Sequence, residues 1–167
     1  KFHADNTLAE IATGLSSVHG NELDEETWPA VLYGETDIVD DNGKFLRHRR
    51  LQAPEVLTWR SFLNGMLVCH QSFYVRADIA RQFHYNLRYR FSGDFDWCVR
   101  IMKDAVQKGL PLYNTRQILT DYLAEGMTTK NHRKSLFERL RIMCRHYGCM
   151  AAIRQHLWFV VRAMVKR

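Results

Sequence analysis

At 167 residues with 46% hydrophobic side chains, the chain has the length and apolar content of one ordinary domain with a buried core. Its net charge of +6, with three prolines and nine glycines, excludes a disordered, collagenous or low-complexity chain, and no apolar run approaches the ~18 residues that a membrane-spanning helix needs. The basicity is uneven: residues 132–167 carry nine Lys/Arg against the single acid Glu138, whereas residues 1–131 carry fifteen against seventeen acids. The positive charge thus belongs to the C-terminal segment, and the body lacks the basic face of a general nucleic-acid binder.

Residues 5–18 place Leu8, Ile11, Ala12 and Leu15 at helical spacing behind the cap residues Asp5 and Asn6, which predicts a short amphipathic helix. After an acidic turn at residues 22–26, Ala30-Val31-Leu32-Tyr33 reads as a buried strand, followed by Gly34-Glu35-Thr36-Asp37 and the apolar pair Ile38-Val39. Asp40-Asp41-Asn42-Gly43 is turn chemistry. Its Asn-Gly step suits positive backbone angles, and residues 44–47 would be the returning strand of a hairpin. Residues 66–75 have the density of a strand interrupted by His70 and Gln71; polar side chains in such a run either satisfy core hydrogen bonds or face a cleft.

Phe95, Val99, Met102 and Val106 follow helical spacing from a start near Asp94, with two acids in the first turn, where the helix dipole favours them. Residues 119–123 read as another strand. The C-terminal segment is helical and splits at Gly148: Leu136, Leu140, Met143 and Tyr147 share one face before the break, and Met150, Ile153, Leu157, Val160, Val161 and Met164 another after it. The order of helix, hairpin, strand, helix, strand and helical tail is an α/β pattern without an internal repeat.

Few residues suggest chemistry by type and spacing. Gly93-Asp94-Phe95-Asp96-Trp97 sets two carboxylates at the mouth of a helix among bulky apolar neighbours, an arrangement that suits a general base or a helix cap. Glu35, Asp37, Asp40 and Asp41 form a second acidic group, for which turn chemistry explains Asp40 and Asp41 without an ion. His70 is either a satisfied core residue or a group at a cleft that donates to a substrate hydroxyl or ligates a metal. The loop at residues 125–131 is rich in small and hydroxyl side chains. Cys69, Cys98, Cys144 and Cys149 form no C-x-x-C pair, which predicts free thiols in a reducing compartment. There is no G-x-G-x-x-G, Walker loop, H-E-x-x-H or nucleophile elbow, and residues 1–6 carry no apolar signal-peptide core, so a cytoplasmic location is expected.

Four segments, in order, carry a resemblance to a known family. AVLYGETDIVDDNG (residues 30–43) resembles its "vvyGd…vd.dG" hairpin, CHQSFYVR (residues 69–76) its "hQ.tf.rr" strand, SGDFDWCVRI (residues 92–101) its "eDydl.lR" segment, and LAEGMTTKN (residues 123–131), with Glu138 in the helix beyond, its "f..GG.S" loop and trailing helix. The family is that of inverting, family 2 glycosyltransferases with the GT-A fold, of the kind that extends bacterial surface polysaccharides, and the similarity spans roughly residues 5–147. The chain has Gly93 where the family often has Glu, and Glu125 where it often has a second Gly.

The resemblance implies an α/β fold with a partial GT-A-like mixed sheet and flanking helices over residues 1–131, followed by a basic amphipathic helical tail over residues 132–167. It implies that Asp94 is the catalytic base, with Asp96 beside it, His70 and Gln71 on the acceptor side of the cleft, and Gly126 and Thr128 in a loop near the leaving diphosphate or the acceptor. The donor would be a nucleotide sugar and the acceptor a saccharide or a lipid-linked saccharide. A divalent cation, Mg²⁺ or Mn²⁺, would be bound by an acidic motif upstream of Lys1. These 167 residues would then be the acceptor-side half of the transferase, inactive alone. The basic tail, with Trp158 and Phe159, would lie on an anionic membrane surface or else pack on the body or a partner subunit. No nucleic-acid partner is expected. A different class of reading is a noncatalytic α/β binding module whose tail contacts membrane or RNA.

Overall fold

The computed structural model describes residues 28–124 and 132–165. The helix expected at residues 5–18, the acidic turn after it, and Gly126 and Thr128 lie outside the described residues. The fold is mixed α/β, built on a four-stranded sheet. Its strands are β1 (Val31–Val39), β2 (Phe45–His48), β3 (Phe73–Val75) and β4 (Leu112–Leu123). Its α-helices are α1 (Ala77–Ala80), α2 (Gly93–Gln107), α3 (His132–Tyr147) and α4 (Cys149–Val165).

β1 is the hub. β4 runs parallel to it along one edge, from Val31↔Leu112 to Val39↔Leu123. The other edge is shared by β3, antiparallel at Val31–Tyr33, and β2, antiparallel at Asp37–Val39. With both edges paired, β1 reads as a nearly continuous buried strand and not as an alternating one. That pairing carries the strand through Gly34-Glu35-Thr36-Asp37, which composition alone suggests as a break. β4 bulges where it passes Gly34, its register jumping from Tyr33↔Asn114 to Glu35↔Ile118. A Cβ at Gly34 would sit 2.5 Å from the Gln117 carbonyl oxygen and 2.6 Å from Thr115 Oγ1, so the bulge closes only over a residue without a side chain.

The β1–β2 hairpin forms as its sequence suggests, with different turn chemistry. The Asp40 carbonyl accepts the Gly43 N–H, and the Asp40 carboxylate accepts the N–H groups of Asn42 and Lys44 at 2.9 Å each. Gly43 alone takes a positive φ, 78°. This is a type I turn closed by a left-handed glycine, not a two-residue turn with both central angles positive. Asp40 is therefore a turn residue.

The segment at residues 66–75 departs from the strand expected there. Only Phe73–Val75 is strand; His70–Ser72 is a 3₁₀ turn. The Ser72 N–H closes the turn onto the Cys69 carbonyl at 2.9 Å, and its hydroxyl bonds Thr36 Oγ1 at 2.7 Å and the Glu35 carbonyl at 3.1 Å. Those bonds tie the turn to β1 before β3 can begin. The strand expected at residues 119–123 is the C-terminal part of the longer β4.

α2 buries Phe95, Cys98, Val99, Ile101, Met102 and Ala105, a stripe with helical spacing. Val106 shares that stripe, yet it is exposed with residues 107–109, because the last turn runs beyond the packed layer. The core joins Tyr33, Phe62, Phe73 and Ile79 with this stripe and with Ile142, Met143 and Ala152 from the C-terminal helices. α3 thus closes over the same core as the sheet, and the helices break at Gly148 as the pattern suggests. No helix among the described residues is long and apolar enough to cross a membrane, and the four cysteines are free thiols.

Candidate active site

A cavity of about 220 Å³ opens at the carboxyl ends of the parallel strands β1 and β4, which contribute Ile38 and Tyr122. Sheets of this kind place ligands there. Arg49 and Leu51 from the stretch after β2, Met66, Cys69 and His70 from the approach to β3, Asp94 from α2 and Arg139 from α3 complete the wall.

Asp94 is the second residue of α2 and is held from three directions. Its Oδ1 accepts the Phe95 N–H at 2.8 Å. His70 Nδ1 lies 3.2 Å from its Oδ2. The chain leading into the helix is fixed from α3, where the Glu138 carboxylate accepts the N–H groups of Arg90, Phe91 and Ser92 at 3.1, 2.7 and 3.1 Å. The Ser92 N–H belongs to the N-cap, and those of Arg90 and Phe91 to the two residues before it. Ser92, the N-cap, makes no side-chain cap bond; its hydroxyl bonds Ser135 instead.

The charges at the wall are coupled. The hydrogen bond to Asp94, helped by Cys69, pushes the His70 pKa up to about 10 against the opposing effect of burial. Burial works to raise the Asp94 carboxyl, but the His70 partner, the Phe95 N–H and the Arg139 charge outweigh it and hold it below the ordinary range. At neutral pH the pair is imidazolium and carboxylate. Burial also pushes the Cys69 thiol up, and hydrogen bonding to His70 and Gln71 with the Arg49 charge brings it below its usual value. Burial raises the Tyr122 phenol, which stays a neutral donor. The Arg49 guanidinium donates to the carbonyls of Leu51, Leu67 and Met66 at 2.8, 2.7 and 2.6 Å, pinning the loop that carries it. Burial lowers the pKa of both Arg49 and Arg139, yet guanidinium keeps its charge in proteins.

The structure thus brings His70 and Asp94 together at one wall. Gln71, one residue on, is exposed and not part of the lining; its carbonyl accepts the Thr120 hydroxyl at 2.8 Å. Asp96 is 1% exposed and turns away from the cavity, its Oδ2 bonded to Arg100 Nε and its Oδ1 to His146 Nε2, each at 2.8 Å. Lys103 Nζ lies 3.3 Å from His146 Nδ1. An ammonium only donates, so Nδ1 is the acceptor and Nε2 carries the proton given to Asp96. Neither acid caps the helix, since the cap position is Ser92.

Among the described residues no group of three or more His, Cys, Asp or Glu side chains is placed to hold a metal ion. The wall itself carries three cations around one carboxylate, which does not fit a divalent cation. In the second acidic group, Glu35 accepts the Ala53 N–H at 3.0 Å and Asp37 pairs with His48 at 2.7 Å. Sequence reasoning passed over Arg49, Cys69, Tyr122 and Arg139 as cavity residues. Arg49 stands in the run His48-Arg49-Arg50 and Arg139 in a helix rich in basic residues; nothing in either pattern separates an inward arginine from its solvated neighbours. No protein-family model matches the chain, and a search of curated proteins finds no match either.

The arrangement can do two things chemically. Its carboxylate, 27% exposed, is ionised and open to a hydroxyl group in the cavity. Its cationic wall favours a ligand bearing negative charge.

Proposed function

We propose that the chain is the acceptor-side part of an inverting glycosyltransferase similar to family 2 enzymes of GT-A fold, with Asp94 as its general base. The observation that carries this reading is the position of Asp94: at the start of a helix, facing a cavity at the carboxyl ends of two parallel strands, and kept ionised by His70. Each Asp94 oxygen has one partner, Oδ1 the Phe95 N–H and Oδ2 His70 Nδ1, and the acceptor hydroxyl would give its proton to a remaining lone pair of the carboxylate on the cavity side. Its oxygen would bond the anomeric carbon of a nucleotide sugar as the bond from that carbon to the diphosphate breaks, inverting the centre. A lowered carboxyl pKa guarantees the basic form at neutral pH at some cost in basicity. His70 orients the carboxylate and shields its charge. Gln71, Asp96, Gly126 and Thr128 keep the roles the resemblance implies only as part of this proposal; the bonds of Asp96 favour a structural one. The donor nucleotide and an Mg²⁺ or Mn²⁺ ion would be held by residues upstream of Lys1.

The acceptor would be a saccharide, free or lipid-linked. Contact with an anionic membrane is supported by α4, where Met150, Ile153, Leu157, Trp158 and Val161 are all exposed next to Arg154, a composition suited to an interface. Retention on anionic vesicles at low salt, lost in neutral vesicles, is the expected result.

The deciding experiment assays nucleoside diphosphate release from a panel of nucleotide sugars with Mg²⁺ or Mn²⁺, using the longest form of the protein that carries these residues. Turnover that Asp94→Asn abolishes is expected. Turnover indifferent to that change, or none with any donor, would move the reading to a noncatalytic module.

A further inference from the structure

The cavity holds more positive charge than the proposed base requires. Among the described residues Asp94 is the only acid in its lining, and Arg49, Arg139 and protonated His70 stand around it. Arg49 is largely committed to three backbone carbonyls and acts as a fixed charge. Arg139 is different. Its guanidinium lies over the Phe95 ring at 5.5 Å, and its Nε is buried without a hydrogen-bond partner. A buried donor without a partner is costly, and an arginine beside an open cavity finds its natural acceptor in the oxygens of an anion.

We propose that this cavity is a phosphoryl-group site in which Arg139 supplies the hydrogen bonds, Arg49 and His70 supply fixed positive charge, and the Tyr122 hydroxyl stands as a further donor at the rim. The site takes a diphosphate in preference to a neutral sugar or a carboxylate. A volume of about 220 Å³ accommodates two linked phosphates and leaves the remainder of the ligand outside. A diphosphate suits the charge, since three cations against one carboxylate leave an excess of two. The inference deepens the transferase reading by naming what lies beside the base: either the leaving diphosphate of the donor or the diphosphate of a lipid-linked acceptor. The anion site itself stands on the cavity's charge and does not require Asp94 to be a base.

The test measures binding of inorganic pyrophosphate, uridine diphosphate and geranyl diphosphate to the full chain by calorimetry, with sodium chloride and glucose as controls. Pyrophosphate is expected to bind, and Arg139→Met, which keeps an unbranched side chain without the guanidinium, to weaken it roughly tenfold or more, while Arg139→Lys restores part of the loss. Tighter binding of uridine diphosphate than of pyrophosphate assigns the site to the donor side, and tighter binding of geranyl diphosphate assigns it to a lipid-linked acceptor. If Arg139→Met does not fold, the ring ¹⁵N signals of His70 in the wild type take its place: they shift with pyrophosphate but not with chloride at equal ionic strength. Absence of binding by all three phosphates, or binding unchanged in folded Arg139→Met, overturns the proposal.

Asp94→Asn separates the two readings. It is expected to retain pyrophosphate binding, because Arg49 and Arg139 keep their charge even where His70, no longer held protonated by Asp94, gives up its own, while abolishing transfer. Binding that persists with transfer indifferent to Asp94 sinks the base and leaves the anion site. Transfer lost in Asp94→Asn without any phosphate binding sinks the anion site and leaves the base.

Discussion

Asp94 and Asp96 stand two residues apart on α2, and each meets a histidine, yet the two pairs live in opposite surroundings. The Asp94–His70 pair spans 3.2 Å with side chains 27% and 38% exposed; the Asp96–His146 pair spans 2.8 Å with side chains 1% and 7% exposed. Both oxygens of Asp96 are taken by side-chain donors, and Lys103 closes the far side of its histidine. Asp94 has one donor on each oxygen as well, the Phe95 N–H and His70, but its carboxylate lines the cavity and is 27% exposed. The same two residue types thus make a locked strut in one direction and an addressable carboxylate in the other, and the difference comes from which face of the helix each residue occupies. Helical spacing turns residues two apart by roughly 200°, so one carboxylate faces α3 and the other the cavity.

The largest effect expected from breaking this comparison is at the strut. Asp96→Ala would leave Arg100 and His146 without their common acceptor, and losing two hydrogen bonds to a buried carboxylate costs about 3 kcal/mol or more. Urea unfolding reads the loss directly. A change in Asp96→Ala no larger than in Asp94→Asn would mean that the two pairs are equivalent after all.

The next effect tests whether the cavity carboxylate is positioned from outside its own helix. Glu138→Gln replaces a charged acceptor of three backbone N–H groups by a neutral amide with one acceptor oxygen, and is expected to cost about 2 kcal/mol. The amide protons of Arg90, Phe91 and Ser92 should exchange faster while those of the middle of α2 do not. Unchanged exchange would show that the entry to α2 holds itself.

How much of this was legible beforehand follows from the range of the forces involved. The hairpin turn, the start of α2 and the helical break at Gly148 are local, and Asp40, Gly43 and the spacing of Phe95, Val99 and Met102 announce them. The first half of β4 is not local. Residues 112–118 become strand because β1 offers a free parallel edge, while their own composition, with Asn114, Thr115 and Arg116, suggests a loop. His70 betrayed the cavity because a polar residue in an apolar run needs a reason. Its neighbour Gln71 looked equally suggestive and is exposed, because the Ser72 tether to Thr36 and Glu35 turns the chain between them. Arg49 and Arg139 were invisible, since inward and outward arginines are written alike in a sequence.

A smaller effect is readable in pH. The His70 pKa is raised from 6.5 to about 10 in the folded protein, so its contribution to stability is complete below 6.5 and is lost as pH rises through about 10. Asp94 is shifted the other way; its contribution is present above its ordinary value of 3.8 and is lost as pH falls through its lower folded value. The pair therefore stabilises most between 3.8 and 6.5. His70→Gln should narrow the gap to wild type as pH climbs toward 10, measured by urea midpoints across that range, with a modest amplitude because solvent screens a pair this exposed. A gap constant with pH would mean that His70 contributes packing alone.

The smallest stability effect is expected at the residue with the largest functional one. Asp94→Asn removes a carboxylate whose burial opposes its charge and whose partner is half in solvent, so its interactions nearly cancel and the change should be about 1 kcal/mol or less. Asparagine keeps the shape and can still accept from the Phe95 N–H, so α2 should start where it does now. It cannot take a proton from a hydroxyl. A variant that melts with the wild type, still holds pyrophosphate and transfers nothing would separate the two acids of α2 by role. A variant that unfolds as readily as Asp96→Ala would instead make Asp94 a second strut and leave the cavity without its base.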